Sequence, residues 1–155
     1  MRVRGLVGAL FALAAAASIV HAQADPSVGT WKLNLAKSKY TAGSAPKSLN
    51  VVIAPSGKGY KLTANLLLAD GKTQTIEYTS MYDGTDATVM GTPDYDTVAI
   101  KRIANGTGGE RKKAGKVVQT FTRIISADGK TMTAAAKGTN AAGQTVDNVQ
   151  VFDKQ

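Results

Sequence analysis

The sequence predicts an all-β protein, folded as an antiparallel up-and-down β-barrel of about eight to ten strands or as a closed β-sandwich. Two observations carry this prediction. Short stretches of alternating polar and apolar residues recur along the chain, separated by turns rich in Gly, Asp or Asn every ~8–12 residues. Beyond the N-terminal segment, no long stretch has apolar residues at the three-to-four-residue spacing of an amphipathic helix.

The N-terminal segment has the layout of a signal peptide over residues 1–24. Arg2 and Arg4 form a basic start, an apolar run follows, and Ala22-Gln23-Ala24 supplies small residues at the spacing of a cleavage site. The apolar run is shorter than the ~20 residues that a membrane-spanning helix needs, so an uncleaved anchor is the less favoured alternative. We therefore expect a periplasmic or secreted protein with no membrane span after cleavage.

The remainder of the chain, residues 25–155, has the length of a single domain. The chain has no cysteine, so its core must hold the fold without disulfides. The formal net charge is +8, and loss of Arg2 and Arg4 lowers it to about +6. The basic residues are scattered and match no nucleic-acid-binding module, so we expect no nucleic-acid partner.

We predict ten strands, most of them joined by short turns. Asp70-Gly71 and Asp128-Gly129 have the residue types of type I′ hairpin turns, which need positive φ at both central positions. Residues 35–47 form the one long connection, which we expect to be a lid over one end of the barrel. The predicted strands are Gly29–Asn34, Ser48–Ala54, Tyr60–Leu67, Thr73–Tyr82, Thr85–Val89, Thr97–Ile103, Thr107–Lys112, Lys116–Ile125, Thr131–Lys137 and Thr145–Phe152.

The residue types that most enzymes need are largely absent. The only histidine, His21, lies in the predicted signal peptide, which excludes Ser-His-Asp and Cys-His catalysis and the usual zinc and haem ligands. The acidic pairs Asp94/Asp96 and Asp83/Asp86 lie in turn sequences, where Asp is favoured because it bonds the local backbone. We predict no enzyme, no metal and no cofactor, with catalysis by carboxylates or Tyr as the weaker alternative.

Polar side chains fall on strand faces that are otherwise apolar. Arg102 follows two apolar residues at alternate positions, and Arg123 follows Val117 and Phe121 in the same way. Tyr78 shares an apolar face with its alternate neighbours. An unpaired buried polar group costs ~1–3 kcal/mol, so this pattern favours a lumen that holds water or a ligand. Arg102 or Arg123 would then anchor the ligand, unless it sits at a strand end with its guanidinium in water.

Both ends of the chain resemble a known family. Gly29-Thr30-Trp31 resembles the G-x-W signature of the calycin superfamily, which includes lipocalins and fatty-acid-binding proteins. Val149–Lys154 resembles the last strand of the ten-stranded fatty-acid-binding barrels, and Gly29–Tyr40 is similar to small secreted bacterial lipocalin-like proteins. The resemblance implies that Trp31 plugs one end of a barrel and that a basic side chain packs across it. Arg102 and Arg123 are the candidates for that side chain.

The resemblance does not extend to the family's ligand clamp. Fatty-acid-binding proteins hold the carboxylate with an Arg and a Tyr on the last strand, and the matching positions here are Gln150 and Phe152. Their helix-turn-helix lid is replaced by the shorter segment 35–47. Fatty-acid binding is therefore not implied, although Gln150 and Phe152 remain candidates for the lumen.

These observations predict a barrel that binds a small, largely apolar ligand in its lumen. The alternative is a structural or interaction protein of the cell envelope whose barrel is filled by its own side chains. A cavity of ~300–1,000 Å³ would favour ligand binding, and a packed interior would favour the structural role. The candidate ligand-binding residues are Arg102, Arg123, Tyr78, Phe121, Gln150 and Phe152, and the candidate structural motif is Gly29 and Trp31.

We predict that the exported protein begins at Asp25, because cleavage follows the small residues at the end of the apolar run. N-terminal sequencing or intact mass of the exported protein checks this. Replacing Ala22 and Ala24 together by Leu should block cleavage. A full-length wild-type protein retained in the membrane would contradict the prediction.

Overall fold

The computed structural model describes residues 25–41 and 44–155, and this part of the chain is all-β except for one 3₁₀ turn, Leu35–Lys37. The all-β class is confirmed, and every predicted strand is present with ends within about two residues of those expected. The predicted signal peptide lies outside the described residues. The strands, numbered in chain order, are β1 (Gly29–Leu33), β2 (Ser48–Ser56), β3 (Gly59–Leu67), β4 (Thr73–Ser80), β5 (Asp83–Thr88), β6 (Thr97–Ile103), β7 (Gly106–Lys113), β8 (Lys116–Ile125), β9 (Thr131–Thr139) and β10 (Thr145–Lys154).

The ten strands form one antiparallel sheet that curls into a nearly closed barrel. Each strand pairs with its neighbours in sequence except β4 and β5, which are the two edges of the sheet, and β1 pairs with β10, so the first and last strands lie side by side. Between β4 and β5, an isolated bridge joins Glu77 to Met90, with N–O distances of 3.0 and 3.1 Å. No helix in the described part is long and apolar enough to cross a membrane.

Alternation along the strands separates an inner from an outer face. In β2, Leu49, Val51 and Ile53 are buried, whereas Val52 between them is exposed. On β8 the predicted inward position of Val117 is wrong, because this side chain is 50% exposed. The register between β7 and β8 shifts by one residue just before Gln119, and such a bulge interrupts the alternation.

Trp31 is completely buried at the end of the barrel where β1 begins and β10 ends. Its indole Nε1 donates a hydrogen bond to the Ser27 carbonyl oxygen at 2.8 Å, which satisfies the polar edge of the ring. The basic side chain across the ring is Lys154, with Nζ 5.0 Å from the ring centroid. The expectation of Arg102 or Arg123 there is wrong, because the β1–β10 pairing places Lys154 directly opposite Trp31.

Gly29 is required by both its backbone and its surroundings. Its φ of +141° lies in a region that side-chain-bearing residues rarely adopt. A Cβ at this position would lie 2.7 Å from Cε of Lys154, which is closer than van der Waals contact allows. The glycine therefore makes room for the lysine that covers Trp31.

Residues 25–28 cross the same end of the barrel, and we call them the N-terminal latch. The Asp25 carboxylate accepts hydrogen bonds from Ser27, from Tyr82 Oη at 2.6 Å and from Arg102 Nη2 at 3.0 Å. The Tyr82 ring packs against Tyr60, with centroids 4.7 Å apart, and against the Arg102 guanidinium. Together with Trp31, the latch closes this end of the barrel.

The hydrogen bonds of the latch shift the pKa values of Asp25 and of its partner Tyr82. Burial alone would raise the pKa of the Asp25 carboxyl, but the bonds from Ser27, Tyr82 and Arg102 outweigh burial and lower it to about 2. Burial and the bond to Asp25 raise the pKa of Tyr82 to about 12, so its hydroxyl remains a donor. The latch therefore depends on an ionised Asp25.

The connection between β1 and β2 runs along the outside edge of β10. Lys39 forms an isolated bridge with Val149, and the backbone N–H of Thr41 donates to Asn148 Oδ1 at 2.9 Å. The first half of this connection contains the 3₁₀ turn Leu35–Lys37. Its role as a lid stays a prediction, and residues 42–43 lie outside the described part.

Replacing Trp31 by Ala should lower the free energy of unfolding by ~3–5 kcal/mol, because a large, fully buried aromatic side chain leaves a cavity. Denaturant midpoints at unchanged slope measure this loss. Trp31→Phe keeps most of the volume and should cost much less. A loss below about 1 kcal/mol for Trp31→Ala would show that the barrel end does not depend on this side chain.

Replacing Asp25 by Asn should destabilise the protein by about 1–2 kcal/mol at pH 7, after allowance for solvent screening. The folded-state pKa is below the ordinary value, so this stabilisation is present above about pH 4 and is lost as the pH falls towards 2. The free energy of unfolding, measured at several pH values in this range, should therefore depend less on pH for Asp25→Asn than for the wild type.

Asp147→Asn is the matched control, because Asp147 is an exposed acid that pairs with Lys137 on the surface. It should keep the wild-type pH dependence. Equal pH dependence for the wild type and Asp25→Asn would contradict a stabilising role for the Asp25 carboxylate.

Candidate ligand-binding site

The barrel encloses a cavity of about 630 Å³. This volume lies within the ~300–1,000 Å³ typical of sites for small molecules. Inward-facing residues from opposite sides of the barrel supply both polar and apolar parts of its wall. The apolar lining includes Leu49, Val51, Leu62, Ala64, Leu66, Ile76, Phe121, Met132, Ala134, Ala136 and Phe152.

The cavity extends towards the end of the barrel opposite Trp31, which we call the mouth. The lining there comes from the connection between β1 and β2, including Tyr40 and Pro46, and from the connections before β6 and β10. The last two are tied together, because the backbone N–H of Ala141 donates to Asp94 Oδ1 at 2.9 Å. The mouth is thus framed by loops that are bonded to one another.

Arg123 on β8 lies in the cavity wall and is held by two tyrosines. Its Nη1 donates to Tyr60 Oη at 3.3 Å, and its Nη2 donates to Tyr78 Oη. Its guanidinium carbon lies 5.0 Å from the centroid of the Phe121 ring. Among the described residues, no carboxylate lies within 4.0 Å of this guanidinium. Its positive charge is therefore met only by neutral partners.

The protonation states around Arg123 follow from burial. Burial raises the pKa of Tyr60 well above its ordinary value, so its phenol stays neutral at any physiological pH. Burial lowers the pKa of Arg123, but the contacts with Tyr78 and Tyr60 outweigh this and raise it overall. A guanidinium has five N–H donors, and the two tyrosines take two of them. The remaining donors can bind an acceptor in the cavity.

The predicted residues Tyr78, Phe121, Gln150 and Phe152 all line the cavity. Tyr78 and Phe152 are buried, and Gln150 Nε2 donates to Tyr40 Oη at 2.8 Å. This bond ties the last strand to the connection at the mouth. A role of these four residues in ligand binding stays a prediction.

Arg102 is not in the lumen, so its predicted inward position is wrong. Its side chain is 56% exposed, pairs with Asp25 and lies over the Tyr82 ring at 3.8 Å. Val98 and Ile100 on the same strand do face inward, as the alternation predicts. Arg102 is one residue from the end of β6, where its long side chain passes the rim of the barrel and reaches the latch.

Arg111 on β7 is a second arginine in the cavity wall. Its Nη1 donates to Gln119 Oε1 at 2.8 Å, and Gln119 Nε2 donates to the Thr139 carbonyl at 2.9 Å. Its guanidinium carbon lies 4.9 Å from the ring centroids of both Tyr95 and Phe121. The amide of Gln119 and the two rings thus hold the guanidinium in one orientation.

Sequence reasoning missed Arg111 because β7 offers no alternation to interpret. Its sequence, Gly-Thr-Gly-Gly-Glu-Arg-Lys-Lys, contains no large apolar residue that would mark an inner face. The pairing with β8 supplies the missing signal, because it places Arg111 opposite the inward-facing Gln119. Tyr95 was missed because it lies in a connection between strands.

Three of the four acids noted in the sequence bond backbone groups, but only Asp83 bonds a local one, the N–H of Thr85. Asp94 and Asp96 accept hydrogen bonds from backbone N–H groups of distant turns, and Asp86 pairs with Lys112 Nζ at 2.8 Å. In residues 25–41 and 44–155, no cluster of three or more His, Cys, Asp or Glu side chains is arranged to hold a metal ion. Carboxylates therefore shape the turns of this barrel.

No protein-family model matches the sequence, and no curated protein matches it. Among solved structures, the fold is similar to that of a zebrafish ileal bile acid-binding protein in complex with cholic acid. The sequence identity is 12%, the TM-score is 0.49, and the similarity covers 84% of this chain and 100% of that chain. A similarity of this extent does not identify what the present barrel binds, which depends on its own residues.

Proposed function

We propose that this chain is an exported, lipocalin-like barrel that binds one small, largely apolar molecule with an anionic group in its lumen. The observation that carries the proposal is the partly buried guanidinium of Arg123, which faces a cavity of about 630 Å³ and has no carboxylate partner among the described residues. The apolar wall would bind the body of the ligand, and Arg123 would bind its anionic group.

The electrostatics of Arg123 support an anionic ligand. A buried charge is costly unless it is paired and hydrogen-bonded. Tyr60 and Tyr78 accept two of its hydrogen bonds but carry no charge to balance it. A carboxylate or another planar anion would take the remaining donors in charge-assisted bonds, which are about twice as strong as neutral ones.

The alternative of a purely structural barrel predicts an interior filled by side chains. The wall instead has small residues where large ones would fill the space, including Ala64 on β3 and Ala134 and Ala136 on β9. Because cavities in a protein interior cost stability, an unfilled volume of this size favours ligand binding.

Export is supported by the order of features at the N-terminus. The predicted cleavage site is followed directly by Asp25, whose carboxylate already bonds Tyr82 and Arg102. Processing after Ala24 would keep Asp25 and leave its bonds to the closed end of the barrel intact.

Replacing Arg123 by Met should weaken the binding of an anionic apolar probe about tenfold or more, because it removes charge-assisted hydrogen bonds and keeps an unbranched side chain. Binding of a neutral apolar probe should change little. Fluorescence titration with 8-anilinonaphthalene-1-sulfonate and with neutral N-phenyl-1-naphthylamine, on protein purified from expression of the full-length chain, measures both affinities.

Lys58→Met is the matched control, because it removes a positive charge from an exposed residue outside the cavity and should leave both affinities unchanged. Ala134→Phe narrows the lumen beside Arg123 and should weaken both probes. If the wild type binds neither probe, the proposed function is wrong. If Arg123→Met and Lys58→Met behave alike, the anionic anchor is wrong although binding in the lumen stands.

A further inference from the structure

The guanidinium of Arg111 is held in a fixed orientation and has N–H donors available to a ligand. It is clamped between the rings of Tyr95 and Phe121 and oriented by Gln119, whose own amide is fixed by a backbone carbonyl. Only one of its five N–H donors has an acceptor among the described residues. The cavity wall therefore contains two guanidiniums with available N–H donors, that of Arg111 near the mouth and that of Arg123.

The two arginines flank the same aromatic ring. The guanidinium carbon of Arg111 lies 4.9 Å and that of Arg123 lies 5.0 Å from the centroid of Phe121, so the two carbons lie within about 10 Å of each other. They lie on neighbouring strands, with Arg111 opposite Gln119 and Arg123 opposite Thr107, so Arg111 is nearer the mouth and Arg123 is deeper in the barrel. Two like charges at this distance repel each other, and negative charge bound near both would offset this repulsion.

The described lining contains one acidic side chain, Asp94. This carboxylate does not form an ion pair with Arg111. Asp94 lies more than 4.0 Å from the guanidinium, and its Oδ1 accepts the backbone N–H of Ala141. It belongs to the loops that frame the mouth, where water screens its charge. Arg111 is thus left with free donors and no ion-pair partner.

We propose that Arg111 forms a second anion-binding subsite, and that the preferred ligand has a carboxylate at each end of an apolar body. This rests on the proposed function, because it requires a ligand in the lumen with one acidic group at Arg123. The planar fork of a guanidinium matches the two oxygens of a carboxylate. The apolar body would lie over Phe121, between the two carboxylates.

A series of linear α,ω-dicarboxylates, each compared with its own monomethyl ester, tests the second subsite. The ester keeps the length and the apolar body but removes one charge. At the best chain length, the wild type should bind the diacid about tenfold or more tighter than the monoester, measured by displacement of the anionic fluorescent probe or by calorimetry. Arg111→Met should reduce this preference to near unity, and Arg111→Lys should retain only part of it.

Lys116→Met is the control, because Lys116 is an exposed residue near the mouth that does not line the cavity. It removes one positive charge and should leave the preference for the diacid unchanged. If the wild type binds monoester and diacid equally, or if Arg111→Met keeps the full preference, the second subsite is wrong while the proposed function stands. If no apolar anion binds at all, both are wrong.

Discussion

The pairing of the first strand with the last creates the lumen. β1 and β10 lie side by side with Trp31 opposite Lys154 and Leu33 opposite Phe152, which turns a ribbon of strands into a barrel. The same pairing lays Lys154 across the Trp31 ring and against Gly29, so that one end of the barrel is closed. Without it, β1 and β10 would add two exposed edges to those of β4 and β5, and the cavity would lose the wall to which Phe152 contributes.

The interior of the barrel combines small apolar side chains with two arginines instead of a densely packed apolar core. A barrel of this size could fill its lumen with large apolar side chains, yet its wall combines alanines with Arg111 and Arg123. A buried charge is costly unless it is paired, so neither arginine is a favourable choice for packing alone. Their neutral partners, Tyr60, Tyr78 and Gln119, orient the guanidiniums without neutralising them. This arrangement leaves positive charge available to a ligand.

The closed end is linked to this interior by direct contacts. Asp25 bonds Tyr82, the Tyr82 ring packs on Tyr60, and Tyr60 accepts a hydrogen bond from Arg123. Tyr82 has a φ of +62°, which is unusual for an aromatic residue and is held by its contacts on both sides. The latch therefore supports the tyrosine that positions the deeper arginine.

Alternation predicted the strands and most of their inner faces, because it is a local signal. The Asp-Gly pairs do mark turns, but the type I′ prediction is wrong, because Gly71 and Gly129 have positive φ whereas Asp70 and Asp128 do not. The sequence could not separate Arg102 from Arg123, since both follow apolar residues at alternate positions, and it contained no pattern that would reveal Arg111. These placements follow from the tertiary structure. Arg123 meets Tyr78 and Tyr60 across 45 and 63 residues of chain, and Arg102 meets Asp25 across 77. Contacts at such separations depend on closure of the whole sheet and on where a strand ends relative to the rim, and neither is encoded in the residues nearby.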